Sequence, residues 1–254
     1  MMGTVDKALS LLRFFSPQTP ELGLSELARR AGFDKATTLR CLTALERNGF
    51  VEQDIANRKY RVGMSPVHLA QVREESFPFE SIIAPHLDAL ATNIGEPAHG
   101  TVIAGQIPVT VAISTPDRAL FVHVDPSGPL PWHATASGTG IAAYMPQEMQ
   151  ADLLARVELE AFTLNSPTDP ANVKATWAAC RSEGLARARS TFEDDVIGTA
   201  APIFGQSGAP VGAIAIAAVA LRMTPAHQGK IDAALRVASQ EITEKLGGVR
   251  AASP

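Results

Sequence analysis

The chain reads as an α+β protein in two domains. A small helical domain closes on a β-hairpin, and a larger domain follows with hairpin-connected strands flanked by helices. Three observations carry this. The 254 residues suit one or two domains at ~150 residues each. The N-terminal stretch shows three short runs of helical apolar spacing ahead of two short strand-like runs. Beyond residue 76, groups of consecutive strand-like runs alternate with helical ones, which favours a mainly antiparallel sheet over a doubly wound one.

The first helix is expected from Thr4 as N-cap, with Val5, Leu9, Leu12 and Phe15 as its apolar stripe, and Ser16-Pro17 and Pro20 ending it. A second runs from Ser25 with Leu27, Ala28 and Ala31 inward, and Gly32 stops it. A third starts at Asp34. Thr38, Cys41, Leu42 and Leu45 fall at i, i+3, i+4 and i+7 and define its buried face; Gly49 ends it. The opposite face shows Lys35, Ala36, Leu39, Arg40 and Thr43. Only the turn Ala31-Gly32-Phe33 joins helices two and three, the helix-turn-helix arrangement whose second helix enters the major groove of DNA.

The residue types suit that task. Ala36 and Thr37 are small enough for close approach to the groove. Thr37 can donate to a phosphate or a base edge. Arg40 can fork onto guanine or clamp a phosphate, and Leu39 can meet a thymine methyl. The segment FVEQDIANRKYRVG then reads as a hairpin of residues 50–51 and 60–62, with a turn over 54–58 and a basic tip at Arg58 and Lys59. Such a wing lies against the sugar-phosphate backbone or in the minor groove. Helix pairs of this kind also occur as plain core elements, and basic tips are often merely solvated; three helices plus a wing in this order is the more specific signal.

Charge is distributed in the same sense. Residues 1–75 carry 11 Lys/Arg against 9 Asp/Glu, residues 76–254 carry 11 against 17, and residues 29–61 alone carry 8 against 4. A positive patch on an otherwise acidic chain can dock a polyanion. The composition, 46% apolar and 19% charged, is that of a globular protein. The longest apolar or glycine run, residues 211–221, is shorter than the ~20 residues a membrane helix needs. Cys41 and Cys180 fit no metal spacing, and MMGTVDKALSLLRFF has no signal-peptide pattern. A reduced, cytoplasmic protein without membrane, metal or cofactor is expected.

At these residues the chain resembles the IclR family of bacterial transcriptional regulators. VDKALSLLRFF resembles the family's first helix, GLSELARRAGFDKATTLRCLTALERNGFVEQD its helix-turn-helix and wing entry, and NRKYRVG its second wing strand. The resemblance continues through WHATASGTG to PVGAIAIAA and covers nearly the whole chain. It implies a winged helix at 1–65, a linker helix at 66–76 and a GAF-like effector-binding domain at 77–254. It also implies a homodimer or dimer of dimers (a homotetramer), operator DNA as partner, and a small-molecule effector. Lys35, Thr37, Arg40 and Leu42 match the family's recognition helix; Ala36 replaces a usual serine, Cys41 a leucine, and Leu39 a frequently polar residue.

In the larger domain a helix is expected from Phe79 through Ile94, with Ile82, Ile83, Leu87 and Leu90 in its stripe, ended by Gly95-Glu96-Pro97. Strand-like runs follow at 99–104, 108–114 and 119–124, helices at 138–145, 147–157 and 170–184, and strands at 186–191, 199–204 and 211–219. A last helix starts at Thr224-Pro225 with Ile231, Leu235, Ala238, Ile242 and Leu246 inward.

PLPWHATASGTGIAAY offers the clearest ligand signal. It turns at Pro129 and Pro131 and runs through small residues to a helix N-terminus, where N–H groups near Ser137, Gly138 and Thr139 can hold a carboxylate. Trp132 can supply an apolar wall; tight packing of Ala136-Ser137-Gly138 on a sheet is the plainer reading. The resemblance places this loop at the effector pocket, with Phe121 among its residues. It also sets Gly198 where some small-acid sensors of the family have a cysteine, and Ala215 and Ala217 where they have serines. An acidic ligand of those sensors is unmatched near Ala188 and Arg189. The expected effector is an aromatic or hydrophobic acid. His99 and His123 are read as structural, and Glu193, Asp194 and Asp195 as a solvated run, with a hard cation as the weaker reading.

The competing class is a ligand-sensing module or small-molecule enzyme without sequence-specific DNA binding. The residues around Ser137 form no G-x-S-x-G elbow, and no Walker A, HExxH or CxxC pattern occurs. A regulator, not an enzyme, is the expectation.

Overall fold

The computed structural model describes residues 3–105, 107–126, 128 and 130–249. The chain divides into two compact units, the first ending at Pro78 and the second beginning at Phe79.

In the first unit, α1 (Thr4–Leu11) runs into a 3-10 turn at Leu12–Phe14, and α2 (Leu24–Ala31) and α3 (Lys35–Arg47) form the helix-turn-helix. Strands β1 (Val51–Gln53) and β2 (Tyr60–Val62) pair antiparallel with Gln53 opposite Tyr60, and Leu22 bridges Tyr60 from the other side. The core comprises Leu11, Leu22, Leu27, Cys41, Leu42, Leu45, Val51 and Tyr60.

Three expectations shift here. Only half of the expected stripe of α1 packs inward: Val5 and Leu9 are 71% and 48% exposed, whereas Leu12 and Phe15 pack on the core beside the fully buried Leu11. The 3-10 turn winds about three residues per turn, so Phe15 leaves the α-helical register and sits in extended backbone. The N-cap of the first helix is Gly3 and that of the second is Gly23, so Thr4 and Ser25 lie inside their helices. Asp34 is the N-cap of α3 rather than its first residue. After the wing, α4 (Ser65–Ser76) buries none of its side chains.

The second unit is a five-stranded antiparallel sheet in the order β4-β3-β7-β6-β5. Its strands are β3 (Ala98–Ala104), β4 (Ile107–Ser114), β5 (Ala186–Arg189), β6 (Val196–Phe204) and β7 (Pro210–Val219). α5 (Phe79–Ile94) and α9 (Pro225–Lys245) pack on the sheet, as does α6 (Ala136–Ala142). Trp132, Ile141, Val173, Trp177 and Cys180 form a core with sheet alanines under α6 and α8 (Pro170–Glu183), with side chains from α7 (Gln147–Arg156) at its edge.

α9 buries Ile231, Leu235, Ala238 and Ile242, the expected face, and Thr224 caps it by accepting from the His227 N–H. The run at 119–124 forms no strand; Val122, His123 and Val124 line a cavity instead. Its Val122 and Val124 answer to that cavity, and its Leu120 carbonyl accepts from Arg222 rather than from a neighbouring strand. α6 also begins two residues earlier than expected, because Thr135 supplies the cap.

Candidate functional site

The first unit presents one coherent polar face. Thr38, Cys41, Leu42 and Leu45 turn inward, leaving Lys35, Ala36, Leu39, Arg40 and Thr43 exposed along α3 and Thr37 half-buried. Asp34 fixes where this helix starts. Its carboxylate accepts from the Thr37 N–H at 2.8 Å and from the Thr37 hydroxyl at 2.8 Å. Those bonds favour the ionised form and hold the Asp34 carboxyl below the usual carboxylate range. The Thr37 proton is therefore committed to Asp34, and its oxygen faces any partner as an acceptor.

The wing tip is built by Asp54. One of its oxygens accepts from the N–H groups of Ala56 and Asn57, bonds that lower its pKa. The Arg58 N–H then donates to the Asp54 carbonyl, with Arg58 in the left-handed region at φ 58°. Arg58 and Lys59 project as exposed cations beside Ile55, which is 92% exposed. Arg61 is neutralised by Glu52 at 2.6 Å.

In the second unit the register of the sheet builds a floor. Ala188, Gly198 and Ala217 pair across β5, β6 and β7, and Ala215 pairs with His99 and with Ala200. Side chains alternate along a strand, so these residues share one face. α6 covers the Ala186–Ala200 end, where Gly140 approaches both. A cavity of about 180 Å3 stands over the remainder.

Of the expected effector residues, Ala136, Ser137, Gly198, Ala215 and Ala217 line this cavity; Phe121, Trp132 and Gly138 do not. Trp132 is buried in the core beneath α6. The Gly138 N–H, expected to hold a carboxylate, donates instead to the Thr135 hydroxyl at 3.1 Å. Gly138 is required there: a Cβ would stand 2.7 Å from the Pro131 carbonyl oxygen and 2.8 Å from the Trp132 Cα.

Sequence reasoning missed His99, Leu130 and Phe192 as lining residues, together with Val122 and Val124. His99 was legible only through its pairing with Ala215, a long-range register. Both His99 and His123, read as structural in the sequence, line the cavity. The His99 imidazole lies 3.4 Å from the Ser137 hydroxyl, and its Nδ1 has no hydrogen-bond partner among the described residues. Burial pushes its pKa down to about 4.

Two anchors hold the walls. Arg222 bonds both oxygens of the buried Glu96 carboxylate and donates to the Leu120 carbonyl, just ahead of Val122. Opposite, Ser190 and Asp195 take positive φ of 50° and 59° on either side of Phe192 and Glu193. There the Thr163 hydroxyl donates to the Ser190 carbonyl, and Phe192 stacks edge-on against Phe162 at 5.1 Å. The acidic residues 193–195 are exposed. Among the described residues no cluster of three or more His, Cys, Asp or Glu could hold a metal, and no helix is long and apolar enough to cross a membrane.

Residues 4–54 match the family model described as the IclR helix-turn-helix domain, and residues 75–244 match that of the bacterial transcriptional regulator IclR C-terminal domain. The Transcriptional repressor IclR of Escherichia coli K12 is 27% identical, over 97% of this chain and 91% of its own. The Glycerol operon regulatory protein of Streptomyces coelicolor is 27% identical over 97% of each chain. The crystal structure of an IclR transcriptional regulator from Silicibacter sp. TM1040 superposes with a TM-score of 0.92 at 38% identity, covering 99% of both chains. The chain thus belongs to the IclR family of bacterial transcriptional regulators, as a DNA-binding regulator with a ligand-responsive effector domain and not as an enzyme.

Proposed function

We propose that the protein reads an operator through the outer face of α3 and is switched by a small molecule bound in the cavity over β5, β6 and β7. Lys35, Ala36, Thr37, Leu39, Arg40 and Thr43 enter the major groove, with Arg58 and Lys59 on the backbone beside it. The observation that carries this is the division of α3 into a buried apolar face and an exposed face with Lys35 and Arg40.

A homodimer, or a dimer of dimers, places two such helices on a pseudo-palindrome about one helical turn apart or a multiple of it. Met64, Val67, Leu69 and Val72 are exposed on and beside α4, which supports self-association through residues 66–76 as the linker. On this reading residues 1–65 bind DNA, residues 77–254 form a GAF-like sensor, and the protein works in the cytoplasm.

The effector has an apolar body about one ring in size. A cavity of ~150 Å3 takes benzene, and the walls here are mainly Val, Leu, Ala and Phe. Support for the expected aromatic or hydrophobic acid is confined to that body, because among the described residues no lining side chain is a Lys or Arg. The effector shifts operator affinity only by its differential affinity for the DNA-competent and DNA-incompetent arrangements.

The test is retardation of a DNA fragment from upstream of the protein's own gene. A complex that survives excess competitor DNA and weakens steeply with salt supports the proposal. Affinity equal to that for competitor DNA contradicts it.

A further inference from the structure

The polar groups of the cavity are unevenly placed. Among the described residues the ionisable ones lining it are two carboxylates, Asp125 and Glu193, and two histidines, His99 and His123. Asp125, Glu193 and His123 are exposed and stand at the mouth. Inside, Val122, Val124, Leu130, Ala215 and Ala217 make an apolar wall. His99 and Ser137 are buried polar side chains in that wall, as is Thr135. Thr135 is already engaged, donating to the Pro131 carbonyl at 2.9 Å and accepting from the Gly138 N–H.

A carboxylate entering this space loses its hydration and meets no Lys or Arg among the described lining residues, a costly transfer. The exposed Glu193 carboxylate at the mouth adds repulsion. The His99–Ser137 pair, by contrast, has hydrogen-bonding capacity to spare. Their 3.4 Å separation is longer than the usual ~2.7–3.2 Å, so each is poorly satisfied by the other. With a pKa near 4 the imidazole is neutral at physiological pH and carries one donor and one acceptor. A hydroxyl both donates and accepts, so it complements either tautomer; a carboxylate only accepts.

We infer that the effector is an uncharged, hydroxyl-bearing compound with an apolar body of about one ring, its hydroxyl seated at His99 and Ser137, and not a carboxylic acid. The inference rests on the cavity being the effector site and adds the chemical class of the ligand.

Three probes of matched size separate the outcomes: benzyl alcohol, benzoate and toluene, each titrated calorimetrically into the full chain at pH 7.5. Benzyl alcohol is expected to bind at least ten-fold more tightly than benzoate or toluene. Ser137→Ala and His99→Leu, each checked for an intact melting transition, should bring it down to the affinity of toluene. Benzoate binding as tightly as benzyl alcohol overturns the ligand class and leaves the cavity as the effector site. Toluene matching benzyl alcohol, or benzyl alcohol indifferent to both substitutions, removes the hydroxyl contact. Saturable binding of none of the three overturns both the inference and the reading of the cavity.

Discussion

Arg222 grips the wholly buried carboxylate of Glu96 at two points, Nη2 to Oε2 at 2.8 Å and Nε to Oε1 at 3.0 Å. Arg118 reaches the same carboxylate at 3.4 Å, and Arg222 also holds the Leu120 carbonyl. One buried charge thereby ties the segment leading to Val122 to the entrance of β3. Breaking a buried pair by removing one partner costs ~3–5 kcal/mol because the other charge is stranded. Arg222 is 29% exposed and Arg118 remains nearby, so Arg222→Met is expected to cost about 2–4 kcal/mol. Urea unfolding of the full chain measures it; a loss below ~1 kcal/mol, the scale of a surface pair, would show that the pair is dispensable.

Gly138→Ala tests the seat of α6. The added Cβ meets the Pro131 carbonyl and the Trp132 Cα, both backbone atoms with no side-chain freedom to yield. Overpacking of this kind costs ~1–3 kcal/mol, and the melting temperature should fall accordingly. Gly229→Ala on α9, where a Cβ meets nothing within 4 Å, is the control and should be neutral or slightly stabilising, as alanine is the better helix former.

His99 sets a pH dependence. Its folded-state pKa of about 4 lies below the ordinary 6.5. As the pH falls below 6.5 the unfolded chain takes the proton first, so stability is lost from there down to about pH 4 and this contribution then levels off. The full effect is on the order of 3 kcal/mol. His99→Gln should flatten the stability profile between pH 7 and 4 relative to the wild type. Parallel profiles in chemical denaturation would contradict it.

The two DNA elements should fail differently. Arg40→Ala is expected to weaken operator binding by at least ~1 kcal/mol and relax sequence preference. Arg58→Ala should weaken operator and random DNA alike and lower the salt slope by about one. Anisotropy titrations over a range of salt distinguish them; loss of sequence preference in Arg58→Ala would move readout to the wing.

The elements legible in the sequence were those whose signals are local. α3 and α9 carry both a side-chain cap, Asp34 and Thr224, and an uninterrupted apolar stripe. The stripe of α1 was half legible, with Leu12 and Phe15 packed on the core and Val5 and Leu9 facing outward, and the run at 119–124 misled because an apolar run also suits a cavity wall. In the cavity, the small residues Gly198, Ala215 and Ala217 were found through family resemblance. His99 was hidden because its neighbours are set by pairing of β3 with β7, and Trp132 was misassigned because a large aromatic beside a ligand loop reads the same whether it faces ligand or core. The Gly138 N–H looked free to hold a ligand in sequence and is taken by Thr135.

Sequence-specific DNA binding by α3 is the central claim. Its most direct measurement is selection of a binding site from random DNA by the full chain, followed by affinities for the selected and a scrambled site at one fixed salt concentration. A preference of at least ~1,000-fold for the selected site, largely lost in Arg40→Ala, is the expected result. Equal affinity for both sites, or a preference unchanged in Arg40→Ala, would contradict it.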